Sequence, residues 1–260
     1  MIEFSSAQLD AWIAAFFYPL ARILGLLAVA PPFSNAALPR RVRLALGLAI
    51  TLALAPALAP IPAITPGTGP GLMLLAQQML IGLTMGFVMR LAIAAVDFAG
   101  ETIGLQMGLG FATFYDPDNS AQTPVVSEFL SLLAILVLLA INGHLMILAT
   151  LARSFEALPI GGTIIAASSW SNLANAGIIV FASGLMLALP IVAAMLITNI
   201  ALGVLTRAAP QLNLFAVGFP LTLAGGFIVM ILSLSYLSAP LVRIFDHSLQ
   251  AMLGHFVLVR

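Results

Sequence analysis

Residues 71–124 read GLMLLAQQMLIGLTMGFVMRLAIAAVDFAGETIGLQMGLGFATFYDPDNSAQTP, and this stretch decides the fold. Its first part, 71–96, is apolar and longer than the roughly 20 residues a helix needs to cross hydrocarbon. A glycine-spaced, acid-flanked part follows, with Gly100, Glu101, Gly104 and Gly108, and then a turn-rich part ending at Pro124. A second apolar run, 128–151, comes next. Since most of the chain reads as lipid-compatible helix, the interruption at 100–124 is where function is expected to reside.

Working outward, further apolar runs lie at 12–30, 42–64, 174–206 and 212–240. The fold class expected is therefore all-α: an integral membrane, multi-helix protein of about six long hydrophobic helices in hairpins, a single membrane domain over 1–260. The breaks suit that reading: Pro31-Pro32 to Arg43, the proline- and glycine-rich 56–71, Leu158-Pro159-Ile160-Gly161-Gly162, and a tight corner at 207–213. Composition agrees, because 62% hydrophobic and 7% charged residues cannot cover a water-soluble surface. The N-terminal MIEFSSAQLDAW carries Glu3 and Asp10 in place of a basic leader, so the first run is expected to be retained as a span.

All nine basic residues are arginine and nine acids balance them. Zero net charge gives no electrostatic footprint for nucleic acid. Without cysteine, disulfides, thiolate catalysis and thiolate-held metals are excluded. Arg40, Arg41 and Arg43 make the one arginine cluster, which places their loop on the cytoplasmic side. Strict alternation would then put both termini outside, whereas Arg243 and Arg260 argue the other way.

Charges inside apolar helices are costly, about 2.5–3.5 kcal/mol at the bilayer centre on insertion scales. Arg22 sits in the first run, either snorkelling, paired within the chain, or meeting an acid of another subunit. Asp97 and Glu101, four apart, share a helix face and suit a proton relay, a partner salt bridge or a helix end emerging into water. Gly100, Gly104 and Gly108 form a small-residue ridge that lets another backbone approach, and Gly82 with Gly86 forms a second. Met79, Met85, Met89 and Met107 are either plain core or adaptable packing beside these ridges. Asn199, Gly203 and Arg207 recur every four residues, so they share one face that joins a neighbour or lines a hydrated path. Asn142-Gly143-His144 reads as a polar notch in the fourth helix.

The part 111–124 changes character. Phe111, Phe114 and Tyr115 precede Asp116, Pro117, Asp118, Asn119 and Ser120, residues that specify a turn. Irregular backbone at membrane depth survives only when buried in protein or lining a water-filled cavity. A constriction and an exposed surface loop both fit. Asp116 and Asp118 alone are a weak cation signal. There is no nucleotide-binding glycine loop, no HExxH, no GxSxG, and no metal-ligand spacing among His144, His247 and His255. No cofactor, metal or catalytic residue is expected, which counts against a membrane-embedded enzyme. A secondary transporter would show broken helices in matching positions of two inverted halves, and none is visible.

The ordered motifs Pro19-Leu20-Ala21-Arg22-Ile23, Ala30-Pro31 with Pro39 and Arg43, Gly100-Glu101-Thr102-Ile103-Gly104-Leu105-Gln106-Met107-Gly108, residues 111–117, Thr123-Pro124, Asn142-Gly143-His144, Leu158-Pro159, and Leu202-Gly203 through Arg207, Pro210-Gln211 and Asn213 run over nearly the whole chain. In order and spacing they resemble the FliR family of the bacterial flagellar type III export gate. The family often carries Asp where this chain has Asn142.

The resemblance implies a non-enzymatic core subunit that forms a channel with FliP and FliQ subunits and meets FlhB and FlhA. The channel would pass unfolded flagellar proteins, in the bacterial inner membrane at the flagellar basal body, with membrane lipid as a further partner. It also implies a FliP-like part over 1–165, containing a plug loop at 106–124, and a FliQ-like helical hairpin over 166–260, with helices that are not all conventional spans. The plug residues implied are Gly110, Phe111, Phe114, Tyr115, Asp116, Pro117 and Asp118. Those expected at subunit contacts are Gly100, Glu101, Gly104, Gly108, Arg22, Asn199, Gly203 and Arg207. A virulence injectisome counterpart would share fold and mechanism.

Overall fold

The computed structural model describes residues 6–58, 61–62, 64–110, 124–162, 167–209 and 218–257, and among them every regular element is helical. In chain order these are α1 (Ser6–Val29), α2 (Arg40–Leu54) with a 3-10 turn at Ala55–Ala57, α3 (Gly69–Gln106), α4 (Val125–Ala140), α5 (Gly143–Ala157), α6 (Ala167–Ala208) and α7 (Phe219–Val257). Four segments are long and apolar enough to cross a membrane: Gln8–Val29, Gly69–Gln106, Leu173–Ala208 and Phe219–Gly254, with the α4–α5 pair a fifth candidate as one broken span.

Two of the expected runs differ from the observed helices. The run 42–64 holds only a 15-residue helix, about 22 Å long and short of the ~30 Å hydrocarbon thickness. Pro56 has no amide to donate to a continuing α-helix, so helix gives way to a 3-10 turn that ends in extended backbone at Leu58. The run 128–151 breaks at Asn142, whose φ of 56° is the left-handed conformation asparagine tolerates. Asn142 then starts α5 by accepting the amides of Leu145 (2.9 Å) and Met146 (3.1 Å) through its carbonyl. The expected polar notch is therefore a helix break, and the described residues hold seven α-helices where about six were expected. Alternation counted on six spans no longer applies.

The long helices outrun their hydropathy boundaries. Thr68 opens α3 by accepting the Gly71 amide on its hydroxyl at 3.3 Å, while Pro70 in the first turn has no donor to leave unpaired. Pro240 is accommodated within α7, where Leu241, Phe245, Leu249 and Met252 keep a buried stripe at helical spacing among Arg243, Asp246 and His247. Of the corner expected at 207–213, Arg207 lies in the last turn of α6 and 210–213 fall outside the described residues.

Two compact units result, each assembled from separated stretches: unit 1 comprises Met1–Leu91, Leu139–Ala176 and Phe245–Arg260, and unit 2 comprises Ala92–Leu138 and Gly177–Ile244. Unit 1 has a cluster of Ala14, Tyr18 and Leu74 covered by Ile61, Ile64, Leu75 and Ile160. Tyr18, fully buried, donates its hydroxyl hydrogen to the Ile64 carbonyl at 2.8 Å, so the proline-rich connection is tied to α1.

Candidate functional site

The glycine-spaced end of α3 is built by close contact with α4. At Gly100 a side chain would run into the Cα of Ser127, so the two backbones touch. Serines complete the seam: Ser127 Oγ donates to the Asp97 carbonyl at 3.0 Å, and Ser131 Oγ donates to the Asp97 carboxylate. Asp97 is thereby held within unit 2. Glu101, one residue past the seam, is exposed. Gly104 has looser neighbours, the nearest atoms to an added Cβ being 3.9 Å away on Leu109 and Val126.

Gly108 does something other than extend the ridge. It has φ 85°, its amide donates to the Leu105 carbonyl at 3.0 Å, and the Leu109 amide donates to the Gly104 carbonyl at 3.0 Å. That pair of bonds around a left-handed glycine is the Schellman helix stop. The expectation that Gly108 continues the packing face is corrected: the helix ends at Gln106, and Gly108 turns the chain out of it. Gly110 is the last described residue before the gap. Phe111, Phe114, Tyr115, Asp116, Pro117 and Asp118 lie outside the described residues.

Arg22 is fully buried in unit 1. Its Nε donates to Gln78 Oε1 at 2.8 Å, Nη1 donates to the Ser154 carbonyl at 2.8 Å and to Ser154 Oγ at 3.1 Å, and Nη2 donates to the Leu158 carbonyl at 2.8 Å and again to Gln78 Oε1. Phe155 lies 4.2 Å below the guanidinium. No carboxylate takes part. The negative end of α5 balances the cation, and an aromatic face adds to it. All five N–H donors are used inside the chain, which corrects the expectation that Arg22 meets another subunit. Gln78 Nε2, on the far side of that amide, is buried without a partner.

The second glycine pair also works within the chain. A side chain at Gly82 would strike the Arg22 carbonyl, and one at Gly86 would come within 2.9 Å of the Leu26 carbonyl, so α1 and α3 pack backbone to backbone. Met85, Met89 and Met107 are fully buried, whereas Met79 is half exposed. Sequence reasoning missed two contacts of unit 2: Gly184 against the Ala95 carbonyl, beside the edge-to-face pair Phe98–Phe181 at 5.3 Å, and Gly226 against Met107. The available signal was glycine inside the last two apolar runs, Gly184 in the first and the Gly225-Gly226 pair in the second.

Asn199, half-buried, and Gly203 and Arg207, both exposed, keep the common face their spacing predicts on α6. Among the described residues nothing lies within 4 Å of where a Gly203 side chain would begin. Exposed Glu101 and this α6 face lie where other molecules can reach. Among the described residues no group of three or more His, Cys, Asp or Glu is placed to hold a metal.

Comparison with known proteins adds what geometry alone does not. Residues 13–248 match the model of the family described as bacterial export proteins, family 1. The chain is 47% identical over 230 residues to the flagellar biosynthetic protein FliR of Pectobacterium carotovorum and 45% identical over 230 residues to that of Escherichia coli, in each case covering 88% of both chains. It is 34% identical over 194 residues to that of Bacillus subtilis, covering 72% of this chain and 74% of the relative.

Proposed function

The chain belongs to the bacterial export proteins, family 1, and from that premise we propose that it is a structural core subunit of the flagellar type III protein export gate. In this reading it forms a channel with FliP and FliQ, meets FlhB and FlhA, and lies in the bacterial inner membrane at the flagellar basal body. It passes unfolded flagellar proteins without a catalytic site or cofactor. Residues 1–165 act as the FliP-like part and 166–260 as the FliQ-like hairpin.

The observation that carries the reading is the similarity of residues 13–248 to proteins of flagellar biosynthesis, in a chain whose described residues include four helices long and apolar enough to cross a membrane. The exposed polar groups fit subunit contacts: Glu101 beyond the α3–α4 seam, and Asn199, Gly203 and Arg207 along α6. The plug is assigned to Gly110, Phe111, Phe114, Tyr115, Asp116, Pro117 and Asp118. A well-defined helix stop at Gly108, immediately before them, supports a segment hinged off a fixed helix end.

The test is conductance. Deleting residues 110–120 is expected to raise ion leakage through the assembled gate while leaving its assembly intact. Conductance equal to that of the intact gate would end the plug assignment.

A further inference from the structure

The zero net charge of the chain conceals a division. Unit 1 holds seven arginines and four acids, a formal charge of +3, and unit 2 holds two arginines and five acids, a formal charge of −3. Between Asp10 and Asp97 there is no acid at all. Arg22 in that interval is consumed inside the protein. The arginine cluster at the start of α2 is not, and the structure separates its members. Arg43 is turned back on the preceding loop, its Nε donating to the Phe33 carbonyl at 3.1 Å and its Nη2 to the Asn35 carbonyl at 3.3 Å. Arg40 and Arg41 are exposed and have no ion pair among the described residues.

The helix that carries them has the properties of an interfacial element. It is too short to cross hydrocarbon. One narrow side is buried: Gly47, whose missing side chain leaves room for Leu24 of α1, and Thr51, whose hydroxyl is satisfied by the Gly47 carbonyl at 2.7 Å. Away from that side, Val42 is 49% and Leu52 64% exposed. An amphipathic helix with free arginines at one end and apolar side chains on its open face suits the boundary between headgroups and acyl chains. A like-charged or neutral partner would leave both guanidiniums unmatched. An anionic bilayer surface matches them, and arginine forks suit phosphate geometry.

We propose that the open face of α2 binds the phosphate headgroups of anionic phospholipids through Arg40 and Arg41, with Val42 and Leu52 set against the acyl chains. The proposal rests on the membrane placement in the proposed function and not on the channel, so a failure of the plug or of the partner assignments leaves it standing. Arg43 is the positioning residue, since its two carbonyl bonds fix where α2 leaves the loop.

The full-length chain, purified in neutral detergent, is mixed with equal phosphatidylglycerol and phosphatidylcholine, and retained lipids are counted by native mass spectrometry. Phosphatidylglycerol is expected to be retained at least fivefold over phosphatidylcholine. Arg40→Gln with Arg41→Gln should abolish the preference, with helical content by circular dichroism unchanged, and Arg40→Lys with Arg41→Lys should keep most of it. If the glutamine pair does not fold, single substitutions at the two positions are read in the same way. A preference untouched by removing both arginines would overturn the proposal. So would displacement of the lipid by an equal concentration of inorganic phosphate, which would make the site one for a free anion.

Discussion

Unit 1 and unit 2 both bring helices into backbone contact at glycines, Gly82 and Gly86 in one and Gly100 in the other, yet they secure those contacts by different means. In unit 1 a buried cation without any carboxylate gathers Gln78 of α3 and the last carbonyls of α5 onto α1. Among the described residues of unit 2 no charge is fully buried, and α3 is sealed to α4 by direct backbone approach at Gly100, with Ser127 and Ser131 donating to the half-buried Asp97. The difference teaches where each can be disturbed. A node that satisfies several acceptors at once fails as a whole when its centre is removed. A seam of small residues fails in proportion to the volume inserted.

The sharpest way to break this contrast is at Arg22. Arg22→Met keeps bulk but leaves the buried Gln78 Oε1 and the half-buried Leu158 carbonyl without donors, at about 1–3 kcal/mol for each group, while the Ser154 carbonyl keeps only the Leu158 amide. A total loss of about 2–4 kcal/mol is expected, read as a drop in the unfolding midpoint of the chain in detergent. Arg22→Lys retains the charge but cannot present a planar fork to three partners, so it should recover only part of the loss. If the methionine variant stays within about 1 kcal/mol of the parent, a cost small beside one orphaned acceptor, unit 1 does not depend on the node.

In unit 2 the matching disturbance is Gly100→Val, which forces α4 away from α3 and should cost about 1–3 kcal/mol. Gly104→Ala is its control. An added methyl there meets its nearest atoms at 3.9 Å, ordinary contact, so it should be close to neutral in the same unfolding measurement. Equal losses at the two glycines would mean that the whole ridge, and not one point on it, bears the packing.

How much of this was readable from residues alone follows from what each feature depends on. Hydropathy over long windows was enough for α1, α3, α6 and α7, because crossing hydrocarbon demands one composition over many residues. It failed at two local breaks: Asn142 in the left-handed region splits an apolar run that has no proline, and Pro56 ends α2 at Leu54 inside a run that hydropathy extends by ten residues. The lower half of α7 was missed because Arg243, Asp246 and His247 interrupt the hydropathy while Phe245, Leu249 and Met252 keep the buried spacing. Gly82 with Gly86 and Gly100 were recognised as close-packing positions, but their neighbours were not, since spacing says nothing about which helix arrives. Arg22 was noticed for its cost; that its counter-charge is a helix end required knowing where α5 stops.

The smallest expected effect lies where the two modes of closure meet a third, the ending of α3. Gly108→Ala puts a side chain at φ 85°, which costs about 1 kcal/mol relative to glycine. The alternative open to the variant is to let α3 continue, which would exchange the Leu109-to-Gly104 bond for an ordinary helical one and carry Gly110 round the helix axis. These outcomes are separable by hydrogen exchange. A strained but retained stop lowers global stability by about that 1 kcal/mol and leaves the Gly108 and Leu109 amides protected as before. A lengthened helix instead extends protection past Gly110. The first result would mean that the Gly100 seam holds the helix end in place against the local preference of the chain. The second would mean that Gly108 alone fixes where the following segment begins, and the seam would then secure the body of α3 without controlling its end.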